Sequence, residues 1–150
     1  MRALIVSNMR PDAAHPGRGS FVRDQAAALR RLPGLEVDLV EEAPGVLGYL
    51  RLAARLARRR RRYDVVHAHF GLTAWPALAA RARRRAVTLH GTDVRHPRSG
   101  RLTRAVLPRY DLVAAASEAL ARELAAGGAR DVRVLPCGVD LERLRPVPRA

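Results

Sequence analysis

The chain has 150 residues and a mass of 16.5 kDa, a length typical of one domain with a single hydrophobic core. Hydrophobic residues make up 48% of the sequence and charged residues 28%, a balance that argues against a disordered or fibrous chain. The formal net charge is +14, and all 28 basic residues are arginine.

Six short apolar runs alternate along the chain with helical patterns. Continuous apolar runs with β-branched residues are typical of strands that are buried on both faces. We predict strands over residues 3–6, 35–40, 64–67, 86–89, 111–114 and 132–135, and helices over 20–32, 46–61, 72–84, 102–107 and 117–126. This alternation predicts an α/β fold with a parallel sheet, helices on both faces and right-handed crossovers.

The functional site is predicted at one edge of this sheet. In open parallel sheets, ligands bind in the crevice outside the carboxyl ends of the strands. The loops that follow the predicted strands there are 7–20, 67–71, 90–97, 115–118 and 136–140. They contain most of the histidines and several of the glycines, which a purely structural domain has no reason to concentrate there.

Gly17 and Gly19 lie in the first of these loops, directly before a predicted helix. Glycines let backbone N–H groups approach a ligand closely, and a helix N-terminus favours an anion such as a diphosphate. Val22 stands where the dinucleotide fingerprint has its third glycine, and no Gly-Lys-Ser/Thr follows. These differences argue against a nicotinamide-dependent oxidoreductase and against a P-loop. An ordinary flexible loop is the alternative.

Histidines follow two of the predicted strands. His67 and His69 lie on one side of an extended segment, and His90 follows the next strand together with Thr92 and Asp93. A histidine at such a strand end can orient a substrate hydroxyl or exchange a proton with it. The alternative is a set of ordinary polar cleft residues, with the carboxylate capping a turn. No carboxylate or cysteine stands at a matching spacing, so we predict no metal site.

The helix predicted over residues 46–61 is basic and amphipathic. Its predicted core-facing stripe consists of Val46, Leu47, Leu50, Ala53, Ala54 and Ala57. Tyr49, Leu52 and Leu56 extend the apolar surface sideways. An anionic membrane surface is a tentative partner for its arginines, namely Arg51, Arg55, Arg58 and Arg59. The alternative is a buried helix whose basic last turn complements its own dipole. The next predicted helix also ends in arginines, within residues 81–85, which supports this alternative.

Other features of the sequence limit its location and partners. Cys137 is the only cysteine, so an internal disulfide is excluded and a reducing, cytoplasmic compartment is expected. No apolar run reaches the length of a signal peptide core or a membrane span, so any membrane contact is expected to be peripheral. Aromatic residues make up 4% of the chain, too few for the stacking surfaces of most nucleic-acid binders. The absence of lysine indicates codon bias, and nucleic acid is not the expected partner.

Five segments in order resemble the N-terminal domain of the retaining glycosyltransferases of family 4, which have the two-domain GT-B fold. They are residues 8–25, 63–71, 87–93, 111–121 and 134–146, of which 87–93 is Val-Thr-Leu-His-Gly-Thr-Asp. The resemblance implies a Rossmann-like domain over residues 1–144, with residues 145–150 beginning an interdomain linker. It also implies transfer of a sugar, with retention, from a nucleotide-sugar donor to a sugar, lipid-linked or phosphorylated acceptor.

The resemblance carries roles onto individual residues. It implies that His90 is catalytic and that Thr92 and Asp93 contact the acceptor or orient it, and His69 is predicted to contact the acceptor as well. The donor diphosphate would face the loop with Gly17 and Gly19, and no metal or cofactor is expected.

Two departures from the family pattern affect these expectations. Cys137 replaces the asparagine of the usual Pro-Asn-Gly-Val-Asp segment. The donor-binding domain would begin where the chain ends, so we expect 1–150 to be inactive alone, either as a piece of a longer enzyme or as an acceptor-binding remnant. The competing expectation is a basic module without catalysis that binds an anionic membrane or nucleic acid.

Overall fold

The computed structural model describes residues 1–139, and within that range six strands form one parallel sheet. The strands are β1 (Arg2–Ser7), β2 (Glu36–Glu41), β3 (Tyr63–His69), β4 (Ala82–Leu89), β5 (Leu112–Ala115) and β6 (Val132–Val134). The helices are α1 (Ser20–Arg30), α2 (Val46–Arg58), α3 (Gly71–Ala77), α4 (Thr92–Arg95), α5 (Pro97–Val106) and α6 (Glu118–Ala126), with a 3-10 turn over Leu107–Arg109. The predicted linker, residues 145–150, lies outside the described residues.

The strand order is β2-β1-β3-β4-β5-β6, and every neighbouring pair is parallel. The chain therefore moves from β1 to one side of the sheet and then returns to build the other side. This reversal leaves a crevice between the loops that follow β1 and β3, which is where open α/β sheets bind ligands. The predicted Rossmann-like α/β fold is confirmed.

The two faces of the sheet are covered unequally. Ala3 and Ile5 of β1 point to one face, where they pack with Val22 and Ala26 of α1 in a small core. The alternate residues of β1 point to the opposite face, into a much larger core to which α2, α3, α5 and α6 contribute. Helices thus lie on both faces, as predicted.

The predicted helix over residues 72–84 is wrong in its second half. α3 ends at Ala77, and β4 begins at Ala82. Arginines 83 and 84 lie at the start of this strand, where they form ion pairs with Asp64 (3.8 Å) and Asp111 (2.7 Å). Pairing with β3 and with these acids overrides the helix propensity of arginine. The arginines at 81–85 therefore do not complement a helix dipole.

The predicted core-facing stripe of α2 is also wrong. Val46, Leu47 and Leu50 are 75%, 67% and 61% exposed, whereas Leu52 and Leu56 are fully buried. The buried side consists of Gly48, Leu52 and Leu56, spaced four residues apart, and a Cβ at Gly48 would overlap the carbonyl oxygen of Ala43. The helix thus approaches the preceding loop through its glycine side, which leaves the apolar edge Val46, Leu47 and Leu50 in solvent.

The segment after β4 contains more helix than the 102–107 that was predicted. α4 begins at Thr92 and α5 at Pro97, with Pro97 in the first turn, where proline is favoured. The His96 side chain accepts a hydrogen bond from Ser99 N (3.3 Å) and caps α5. Within residues 1–139 there is no helix of sufficient length and apolarity to cross a bilayer.

Candidate active site

Three histidines come together where β3 and β4 end. His67 Nε2 lies 2.8 Å from the Thr88 hydroxyl, and His69 Nδ1 lies 3.3 Å from His90 Nε2. His67 and His69 are alternate residues of β3 and share one face of the sheet. The structure thus brings together two of the predicted site residues, His69 and His90. In the described part of the chain, no group of three or more His, Cys, Asp or Glu side chains is placed to hold a metal ion.

The imidazole of His90 is held by aromatic rings and by polar neighbours. Its ring centroid lies 4.4 Å from that of Phe70 and 5.0 Å from that of Phe21. Cys137 Sγ lies 3.6 Å from His90 Nδ1, while His69 is the neighbour of Nε2. Both ring nitrogens therefore have a partner, which determines the position and orientation of the ring.

Burial keeps these histidines neutral. Burial, assisted by the neighbouring imidazoles, lowers the pKa of His69 to about 2, and burial with the contribution of His90 lowers the pKa of His67 to about 4. Burial also lowers the pKa of His90, although the negative charge of Asp93 partly offsets this effect. A neutral imidazole has one N–H donor and one lone pair. The cluster is therefore suited to orienting a hydroxyl group.

Asp93 is 8% exposed, and its carboxylate accepts hydrogen bonds from the backbone. Oδ1 accepts from Gly91 N (2.8 Å) and His90 N (3.1 Å), and Oδ2 accepts from Gly71 N (3.0 Å). The side chain thus connects the loop after β3 with the loop after β4. Its contact with an acceptor stays a prediction.

An open pocket of about 580 Å³ lies beside this cluster, within the size range of small-molecule sites. Its apolar lining consists of Met9, Tyr49, Phe70, Leu72 and Leu102. Its polar lining consists of Asn8, Thr92, Asp93, His96, Arg98 and Ser99. The pocket combines a broad apolar wall with a few polar groups, and Phe70 separates it from His90.

Gly17 and Gly19 lie beside the N-terminus of α1, as predicted. Gly19 has a φ of 67°, and a Cβ there would lie 2.5 Å from the carbonyl oxygen of Met9, so the loop requires glycine at this position. The two glycines and Arg18 line a second open pocket of about 510 Å³. Arg18 is held by Asp12 at 2.6 Å. Contact of this loop with a donor phosphate stays a prediction.

The four arginines predicted as tentative membrane contacts fall into two groups. Arg55 forms an ion pair with the buried glutamate that follows β2, and Arg59 pairs with Asp38 at 3.1 Å. Arg51 and Arg58 are exposed, and no ion pair involves them within residues 1–139. These two are the arginines of α2 whose charge is available to a partner.

Sequence reasoning missed several residues of the site. Asn8 Nδ2 donates a hydrogen bond to the Tyr49 hydroxyl (2.8 Å) at the pocket wall, and burial raises the pKa of that hydroxyl. Asn8 and Phe70 directly follow β1 and β3, so their positions at strand ends could have identified them. Tyr49 and Phe21 lie on helices, and no sequence signal distinguishes them from core residues.

Comparison with known proteins agrees with this architecture. No curated protein matches the chain. The sequence model of the family described as Glycosyltransferase Family 4 matches residues 2–143, which include all six strands and the loops of the candidate site. The chain belongs to glycosyltransferase family 4.

Proposed function

We propose that this domain binds the acceptor in a glycosyl transfer that uses a nucleotide-sugar donor and retains the anomeric configuration. The observation that carries this proposal is the pocket of about 580 Å³ beside His90, at the carboxyl edge of the sheet. Its apolar wall can hold one face of a sugar or the apolar part of a lipid-linked acceptor. Thr92 and Arg98 supply hydrogen bonds at its rim, and the arginine suits an acceptor that carries a phosphate.

His90 is the proposed catalytic residue. Its imidazole is neutral and is held between Phe70 and Phe21, so it can hydrogen-bond a hydroxyl of the reacting sugar or of the acceptor. Buried His69 supports it at Nε2, and the Nδ1 side borders the small cavity that contains Cys137. A substrate hydroxyl at Nδ1 would replace the thiol as hydrogen-bond partner.

The donor side of the reaction is proposed to lie across the cleft. Gly17 and Gly19 would face the donor diphosphate, assisted by the N-terminus of α1. Most donor contacts would come from a second domain, so transfer would require that domain. We propose a role in carbohydrate biosynthesis in the cytoplasm, with no cofactor.

Peripheral membrane contact is the second proposal, and the exposed edge of α2 supports it. Val46, Leu47 and Leu50 expose most of their side chains to solvent, and Arg51 and Arg58 follow them along the same helix. An apolar edge followed by free cations is the arrangement with which interfacial helices bind anionic lipid. Tyr49 of the same helix lines the pocket, so docking through this edge would bring the pocket close to a lipid-linked acceptor.

The acceptor proposal is tested by NMR titration of the chain with mono- and disaccharides, sugar phosphates, nucleotide sugars and a short-chain prenyl-phosphate sugar. We expect one acceptor class to shift the backbone amides of Asn8, Thr92 and Arg98. Tyr49→Phe is expected to weaken that binding several-fold because it removes the hydroxyl bonded to Asn8. Tyr63→Phe is the matched control, because its hydroxyl contacts Asp38 and Arg59 instead.

Two results would contradict the proposal. One is that none of the saccharides shifts the amide signals of the pocket residues. The other is tight binding of a DNA duplex with a steep salt dependence, which would favour a basic module without catalysis. In an enzyme that includes the donor-binding domain, His90→Ala is expected to lower turnover by ~100-fold, and near-normal turnover would remove His90 from the catalytic role.

A further inference from the structure

The loop after β3 has an unusual backbone at Phe70. Its φ is 73° and its ψ is 142°, a region that L side chains rarely adopt and that is costly for a bulky residue. This conformation directs the Phe70 ring both into the wall of the pocket and against His90, with the centroids 4.4 Å apart. Some interaction nearby must therefore outweigh the backbone strain.

The carboxylate of Asp93 is placed to do so. It accepts the N–H of Gly71, the residue after Phe70, at 3.0 Å, and the N–H groups of His90 and Gly91 at 3.1 and 2.8 Å. No arginine forms an ion pair with Asp93 in the described range of residues 1–139. A buried carboxylate without a cation depends on its hydrogen bonds, because breaking one leaves charge uncompensated in a poorly solvated place.

Asp93 is itself anchored from α5. The hydroxyl of Thr103, which is fully buried, donates a hydrogen bond to the main-chain carbonyl of Asp93 at 3.0 Å. The same threonine packs so closely against Gly71 that a Cβ on the glycine would lie 2.6 Å from the threonine Cβ. The loop after β3 is thus confined between Thr103 and the Asp93 carboxylate.

We infer that Asp93 is a positioning residue that holds Phe70 against His90 and thereby forms the wall between the pocket and the histidine cluster. It would act on the reaction through these two side chains. The identity of the ligand in the pocket rests on the proposed function. The packing of Phe70 on His90 does not, because it can be measured without any substrate.

The test is NMR of the chain and of Asp93→Asn. In the variant, the single amide oxygen of the asparagine can still accept hydrogen bonds from His90 N and Gly91 N. Its NH₂ group then faces Gly71 N, and because both groups are donors, the hydrogen bond to Gly71 N is lost. We expect the nuclear Overhauser effect between the Phe70 and His90 rings to weaken strongly. The His90 ring protons should lose most of the ring-current shift that Phe70 causes, and Phe70→Leu sets the scale for its complete loss.

Asp111→Asn is the matched control. Its carboxylate also accepts a backbone N–H, that of Arg85 at 2.8 Å, but it lies at the opposite edge of the sheet. This variant is expected to leave the Phe70–His90 contact unchanged. An unchanged contact in folded Asp93→Asn would overturn the inference, and so would an equal loss in Asp111→Asn.

A second variant covers the case in which Asp93→Asn does not fold. Thr103→Val removes the hydroxyl that anchors the Asp93 main chain and keeps the side-chain volume. It is expected to weaken the ring contact in the same direction and by a smaller amount, and a wild-type contact in this variant would equally overturn the inference. If no acceptor binds in the titrations but the Phe70–His90 ring contact still depends on Asp93, the proposed function is refuted and this inference is not.

Discussion

Removal of the exposed apolar edge of α2 is expected to abolish most of the membrane binding that we propose for this domain. The perturbation is the double substitution Leu47→Ser and Leu50→Ser. These side chains are 67% and 61% exposed, so their replacement creates no cavity in the core and the fold should be retained. The membrane proposal can therefore be tested separately from stability.

The magnitude follows from the exposed area. Complete burial of a leucine side chain contributes about 1.5–3 kcal/mol, and roughly two-thirds of each side chain is available to enter a membrane. The two leucines together account for about 2–4 kcal/mol of binding. Insertion into an interface is incomplete, so we take the lower value, about 2 kcal/mol, which corresponds to a ~30-fold loss of partitioning.

Charge should contribute separately. Arginines near an anionic surface contribute about 1 kcal/mol each, so replacing both Arg51 and Arg58 with glutamine should weaken binding to anionic vesicles by another ~30-fold. Binding to neutral vesicles should not change. Arg55→Gln is expected to have little effect on binding, because Arg55 already forms an ion pair with Glu42.

The assay is co-sedimentation with vesicles of phosphatidylglycerol and phosphatidylcholine, compared with phosphatidylcholine alone, over a range of salt concentrations. The matched control is Leu32→Ser, since this leucine is 52% exposed but lies beyond the end of α1. Equal binding of the Leu47/Leu50 variant and the Leu32 control would refute the reasoning. Binding that depends on neither charge nor the leucines would refute the membrane proposal.

Two further predictions concern stability. His67 and His69 have pKa values lowered by burial to about 4 and about 2, whereas in the unfolded chain they titrate near 6.5. Below about pH 6.5 the unfolded chain binds protons that the folded chain does not, so the free energy of unfolding should fall by up to ~1.4 kcal/mol per pH unit for each histidine down to about pH 4. Urea unfolding at several pH values between about pH 7 and pH 4 measures how the free energy of unfolding changes with pH. If His69→Gln leaves this pH dependence unchanged, His69 is not one of the groups that cause it. Gly71→Ala should destabilise the protein by about 1–3 kcal/mol because the new methyl group overlaps Thr103. Gly17→Ala is its control, since nothing lies within 4 Å of a Cβ at that residue, and an equal loss of stability in both variants would show that the overlap is not the cause.

The location of the site could be predicted from the sequence because it follows from topology. Apolar runs with β-branched residues identified the strands, and the rule for parallel sheets then placed His90 and His69 at the same edge. The structure confirms that these two histidines meet, at 3.3 Å between ring nitrogens. Periodicity and strand ends therefore sufficed to locate the cluster.

The link from Asp93 to the loop of Phe70 could not be predicted in the same way. The sequence left two interpretations of Asp93, contact with the acceptor or capping of a turn, and the structure shows its carboxylate accepting the N–H groups of His90 and Gly91 in its own turn. The third hydrogen bond, from Gly71 N in the loop after β3, joins residues far apart in the chain and has no local signal. The φ of 73° at Phe70 results from contacts with other parts of the chain, and a phenylalanine carries no local signal for it. Sequence patterns report local preference, and these two features exist because tertiary hydrogen bonds outweigh that preference.

The orientation of α2 links the two proposals. The helix has two apolar sides, and its periodicity alone does not determine which one is buried. The side with Gly48, Leu52 and Leu56 is buried, which leaves the opposite edge exposed and Tyr49 at the pocket. An acceptor that is entirely water-soluble would use the pocket and leave the exposed edge without a role. A lipid-linked acceptor would use both, because its lipid would lie in the membrane that we propose the edge contacts, while its polar group reaches the pocket. The two proposals together therefore point to a lipid-linked acceptor rather than a free sugar.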